Sequence, residues 1–173
     1  MSVICRRPVA EEIDDLAEFH VRCWREAYAG LLAPDFLAGL STGYRADIWS
    51  KVIADPAMLA LVAWAGNERA GFIIAGPASP DYRKWADSEI HALYVLGAFQ
   101  GRGTGRRLLE AGLADRRRQG GTNAVAMVFS GNLQARGFYE AMGGRAVGEM
   151  AIELGGQSLV EIAYSFALAT VPQ

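Results

Sequence analysis

The stretch EIHALYVLGAFQGRGTGRRLL, Glu89–Leu109, passes from a strand pattern to a helix pattern across a run of glycines. Ser88 to Leu96 reads as a strand. Gly101, Gly103 and Gly105 alternate, with Arg102, Arg106 and Arg107 among and just after them. From Gly103 the spacing of Leu108, Leu109, Gly112 and Leu113 predicts a helix to Gln119, stopped by Gly120-Gly121. A helix start leaves backbone N–H groups without partners and carries partial positive charge. An anion such as a pyrophosphate satisfies both, and glycine lets it come close. Strand, glycine turn and helix together therefore describe a phosphate cradle. The dinucleotide fingerprint G-x-G-x-x-G fails, because Arg106 stands at its third glycine. The P-loop fails too, because Arg106-Arg107 follows Gly105 where Lys-Ser/Thr is needed. On this stretch alone, a loop that merely connects strand to helix remains the alternative.

Upstream, Val3 to Arg7 suits a short strand closed by Pro8. Ile13, Leu16, Phe19, Cys23 and Ala27 recur at helical spacing, which predicts an amphipathic helix over Glu11–Tyr28. Pro34 opens a second helix to about Leu40, and Ser41 caps a third, through Trp49 to about Ile53. The period then changes. Met58–Ala65 and Ala70–Ala75 form a hairpin about Gly66-Asn67, and GPASPDYRKWAD is a loop. Downstream, Ala124–Phe129 is a buried strand and Asn132–Met142 a helix. Arg145–Glu153 and Leu159–Leu168 are final strands about Gly155-Gly156. Arg116, Arg117 and Arg118 read as a solvated helix end. The strand, crossover helix and strand from Ser88 to Phe129 imply a parallel pair within a mixed sheet. The expected class is α/β: one domain over residues 1–173, with about seven strands and helices on both faces.

The chain has 173 residues, 51% hydrophobic and 21% charged, with a formal net charge of −2. That is an ordinary globular composition, with no global attraction to nucleic acid or an anionic membrane. No apolar run approaches the ~20 residues of a membrane span. The first residues lack an apolar signal core, so a cytoplasmic location is expected. Cys5 and Cys23 read as reduced. His20 and Cys23 lie three apart, but zinc takes three or four protein ligands and only His91 remains, so no metal is expected.

Read with SGNLQARGFYEAMGG, Ser130–Gly144, the glycine stretch resembles the GNAT superfamily of acetyl-CoA-dependent N-acetyltransferases. Their signature, Gln/Arg-x-x-Gly-x-Gly/Ala at a strand-to-helix turn, is matched by Gln100, Gly103 and Gly105. A second family element, an Asn followed seven positions later by a Tyr, is matched by Asn132 and Tyr139. The resemblance implies a GNAT-like sheet splayed at strands 88–96 and 124–129, with acetyl-CoA as co-substrate. Backbone N–H groups of Gly101, Arg102, Gly103, Thr104, Gly105 and Arg106 would hold the pyrophosphate. Backbone groups of Leu93, Tyr94 and Val95 would pair with the pantetheine arm like an added strand. Asn132 would hydrogen-bond the pantetheine or a nearby backbone group.

The implied reaction is direct acetyl transfer to a primary amine of a small molecule or peptide. Such an amine has a pKa near ~10.4 and must lose a proton. Glu89 is the candidate base, six residues before Val95, where some family members use a glutamate. His91 shares its strand face and is the second candidate. The N–H of Val95 would meet the oxyanion, and Tyr139 would protonate the leaving thiolate. Trp24, Tyr28, Phe36 and Trp49 lie where the family admits its acceptor, and do not name it. The competing function is a non-catalytic acyl-CoA sensor, for which Glu89 and Tyr139 are dispensable. Exposed sheet edges allow a homodimer.

Overall fold

The computed structural model describes residues 3–168. Among them, seven strands and five α-helices follow in the order β1 (Val3–Arg6), α1 (Ile13–Ala27), α2 (Pro34–Ala38), α3 (Thr42–Ala54), β2 (Leu59–Ala65), β3 (Glu68–Pro77), β4 (Ser88–Val95), α4 (Thr104–Arg118), β5 (Asn123–Phe129), α5 (Leu133–Ala141), β6 (Arg145–Leu154) and β7 (Gln157–Ala167). The strands form one mixed sheet in the order β1-β2-β3-β4-β5-β7-β6. β4 and β5 run parallel, in register from Ser88–Ala124 to Ile90–Ala126. β1–β2, β5–β7 and β6–β7 are antiparallel. The expected α/β class and strand count hold.

Packing divides the chain into two compact units. The first runs up to Ile74 and resumes over Ala92–Leu109; the second is Ala75–His91 and the chain from Glu110 onward. In the first, α1 buries Leu16, Phe19 and Cys23 in a cluster with Trp49, Val52, Val62, Phe72 and Leu96. The apolar spacing read in the sequence supplies that face. Its start differs slightly: Ala10–Glu12 is a separate 3-10 turn, and α1 begins at Ile13. Ser41 caps α3 as expected, its Oγ accepting from Tyr44 N at 3.1 Å. Cys5 and Cys23 are both free thiols, and burial pushes the Cys23 thiol up to about 12.

In the second unit, Val125 and Ala163 are fully buried beside Ala86, with Tyr82, Trp85 and Met127 packed on them. Asp87 fastens the parallel strands at their start: its carboxylate accepts from Thr122 N at 2.8 Å, Thr122 Oγ1 at 2.6 Å and Ser88 Oγ at 2.9 Å. The arginine run at the end of α4 departs from expectation. Arg117 and Arg118 are exposed, but Arg116 is 4% exposed, its guanidinium 2.6 Å from the equally buried Asp115. The acid one position earlier draws it inward. Gly155 and Gly156, at φ 58° and 74°, make the β6–β7 turn with both central residues left-handed.

Candidate active site

The glycine stretch lies in the first unit. Leu93, Tyr94 and Val95 end β4, half-buried, and a 3-10 turn at Gly97–Phe99 follows. Glu26 of α1 accepts a hydrogen bond from Gly97 N and fixes this turn. Gln100 reaches back, its Nε2 donating to Val95 O at 2.8 Å. That places the side chain of the signature glutamine as a fastener between loop and strand end. Gly101 and Gly103 have φ of 70° and 80°, the left-handed region that side-chain residues avoid. No heavy atom outside the neighbouring residues lies within 4 Å of where a Cβ would stand on either. These two glycines serve conformation, and the space beside them is open.

α4 starts at Thr104, and Arg107 N closes its first turn on Gly103 O at 3.0 Å. The N–H groups of such a first turn face outward and favour an anion. Gly105 and Arg106 belong to this turn. Thr104 is 1% exposed and its Oγ1 is buried without a hydrogen-bond partner. Arg107 turns elsewhere: its guanidinium donates to Val3 O at 3.1 Å, tying α4 to β1. Its charge serves that tie, a role the sequence did not suggest.

The second unit holds the proposed acid and base. Glu89 is 6% exposed, and its Oε2 accepts from Ser79 N at 2.8 Å. His91 Nδ1 lies 3.4 Å from Glu89 Oε1, an ion pair whenever the imidazole carries its second proton. The other ring nitrogen, Nε2, is 3.0 Å from Pro77 O and donates to it. The two candidate bases thus stand together, as their shared strand face implies. Sequence reasoning missed their neighbours. Tyr82 Oη donates to Glu161 Oε2 at 3.5 Å. Burial, with the charges of Glu161 and Glu89, pushes the Tyr82 hydroxyl up to about 12. Burial also raises the Glu161 carboxyl, and nearby Glu89 adds to that rise. The signal was present: Glu161 is an acid inside the apolar strand β7.

Tyr139 is 7% exposed on α5, stacked on Tyr164 with ring centroids 6.1 Å apart and edge-on to Phe138 at 5.3 Å. Asn132 caps α5, its Oδ1 accepting from Ala135 N at 3.1 Å. A separate hollow of about 490 Å³, lined by Arg83, Trp85, Asp87, Thr122 and Asn123, belongs to the fastening at the strand starts. Among the described residues, no three His, Cys, Asp or Glu side chains gather to hold a metal. No helix among them is long and apolar enough to cross a membrane.

The fourth strand of an α/β sheet thus runs through a left-handed glycine turn into a helix start. Residues 13–144 match the acetyltransferase (GNAT) family, and the chain belongs to that family. The uncharacterized N-acetyltransferase YuaI of Bacillus subtilis is 29% identical over 163 residues, covering 92% of this chain and 90% of its own length. The fold also matches the PaiA N-acetyltransferase of Thermoplasma acidophilum, solved with coenzyme A, at TM-score 0.74 and 18% identity, over 96% of this chain and 99% of that one. YncA of Salmonella typhimurium, solved with acetyl-CoA, matches at TM-score 0.74 and 19% identity, over 100% and 98%.

Proposed function

We propose that this protein is an acetyl-CoA-dependent N-acetyltransferase, a single cytoplasmic domain that acts on a primary amine of a small molecule or peptide. The observation that carries the reading is the left-handed pair Gly101 and Gly103 at the start of α4, with open space beside both, in a GNAT-family chain. The coenzyme A in the PaiA crystal and the acetyl-CoA in the YncA crystal support it as the donor.

In this reading the N–H groups from Gly101 to Arg106 receive the pyrophosphate, and the β4 backbone at Leu93–Val95 aligns the pantetheine. Gln100 and Asn132 hold that loop and α5 in shape. Acetyl-CoA supplies a thioester whose acyl carbon takes the amine nitrogen and whose C–S bond then breaks. Glu89 accepts the proton that the amine must lose, directly or through water beside His91. The Val95 N–H donates to the oxygen as it gains charge. Tyr139 returns a proton to the departing sulfur.

The test is release of free thiol from acetyl-CoA with a panel of amines. At least one amine is expected to raise the rate well above buffer and to gain the mass of one acetyl group. If the protein binds acetyl-CoA but no amine exceeds buffer, the sensor reading replaces the enzyme reading.

A further inference from the structure

The first unit contains a charged group that the reaction above leaves unused. Arg45 of α3 is 7% exposed. Its guanidinium lies 4.3 Å from the ring centroid of Trp24 and 5.4 Å from that of Tyr44. Its Nε is buried without a hydrogen-bond partner, and among the described residues no carboxylate pairs with it. The groups facing it are His20 and Trp24 from α1, Tyr28 just past its end, Tyr44 from α3 and Tyr94 from β4. Tyr28 and Tyr94 join hydroxyls at 2.8 Å. His20 packs on Phe72 at 4.8 Å and Tyr94 at 5.9 Å. Burial, with the Arg45 charge second, lowers His20 to about 3, so its ring is neutral.

The cluster therefore holds a buried cation and no anion. Burying an unpaired charge is costly, and cation–π contact offsets only part of that cost. A guanidinium presents a planar fork that matches a carboxylate at two points. Trp24, Tyr28 and Tyr94 remain partly exposed, so the cluster is not sealed. Tyr94 also sits in the β4 segment assigned to the pantetheine arm, where an acceptor must meet the thioester.

We propose that Arg45 is the anion-binding residue of the acceptor subsite, and that the acceptor is an amine that carries a carboxylate, of the amino-acid type. This rests on the transferase reading. Arg45 takes the carboxylate and leaves the amine end facing the acyl carbon.

The experiment compares the free amino acids with their own carboxamides as acceptors, at equal concentration of neutral amine, by thiol release. Calorimetry of the same compounds on coenzyme-A-loaded protein runs beside it. At least one amino acid is expected to exceed its carboxamide by about tenfold to a hundredfold in kcat/KM, chiefly through KM. Arg45→Gln should bring that ratio close to one, and Arg45→Lys should keep part of it. An unchanged coenzyme A titration certifies that both variants fold. Carboxamides serving as well as acids, or a preference that survives Arg45→Gln, overturns the proposal. If nothing is acetylated but an amino acid binds in an Arg45-dependent way, the carboxylate site stands and the transferase reading falls. If coenzyme A binds and no carboxylate-dependent turnover or binding appears, the Arg45 proposal falls by itself.

Discussion

Replacing Glu89 with Gln isolates the proposed base from the fold around it. Glutamine keeps the volume and one carbonyl oxygen, so the bond from Ser79 N, 2.8 Å in the parent, survives. The 3.4 Å approach of His91 Nδ1 is also sterically preserved, while the proton acceptor is lost. An amine with a pKa of about 10.4 is neutral in only about one molecule in a thousand at pH 7.4. A positioned base is worth about 10²–10⁴ in rate. The lower end applies here, because His91 remains beside the site and a water relay can persist. The expected loss in kcat/KM is therefore about a hundredfold at pH 7.4. The deficit should shrink as pH approaches the amine's own pKa, since solvent then removes the proton. The assay is initial-rate thiol release from pH 7 to 9.5, with coenzyme A affinity as the control. A variant within about threefold of the parent at pH 7.4, or a deficit that stays constant with pH, refutes the role of Glu89.

Three further outcomes follow from the packing. A Cβ on Gly71 would collide with Tyr94 O and stand 3.1 Å from Val95 Cα, so Gly71→Ala should cost about 1–3 kcal/mol, read as a Tm lowered by about 2–4 °C per kcal/mol. An unchanged Tm would show that the β4 end shifts freely. Asp115→Ala leaves the buried Arg116 unpaired and should cost about 3–5 kcal/mol in urea unfolding, against a near-neutral Arg117→Ala control. Glu12, hydrogen-bonded above all by Arg6 and also by Val9 N, has its carboxyl held down at about 2. Its contribution is full above a pH of about 4.5 and fades as pH falls toward 2; with Arg6 well exposed to solvent it is worth less than about 1 kcal/mol. The stability gap between parent and Glu12→Gln should thus be present at pH 6 and shrink as pH falls to 2, and a gap unchanged with pH would contradict the pairing.

The sheet and its helices were legible because each element carries its own period. Leu16, Phe19 and Cys23 trace one helical face, and the Gly66-Asn67 turn marks the hairpin. Boundaries moved where tertiary bonds extend an element: β3 runs on to Pro77, where Ala78 N bonds Asp87 O. The glycine turn was legible because left-handed backbone demands glycine, and Gly101 and Gly103 meet that demand. What charges do was not legible. Arg107 goes to Val3 O, Arg116 to Asp115 and Arg45 beneath Trp24, and nothing in local spacing separates those fates. Glu161 joins Glu89 only through folding, from a strand far along the chain, and Tyr82 from the loop before β4. Periodicity reports which face is buried; it does not report which polar groups meet there.

The central claim is that the Gly101–Arg106 turn receives the coenzyme A pyrophosphate. Calorimetric titration of coenzyme A into the parent, Gly103→Ala and Gly103→Glu tests it most directly. The left-handed φ of 80° resists even an alanine, at about 1–2 kcal/mol, and a glutamate adds bulk and negative charge where the phosphates would lie. Tight binding by the parent, about tenfold weaker in Gly103→Ala and lost in Gly103→Glu with the fold intact, is the expected result. Equal affinity in all three, or no binding by the parent, would contradict it.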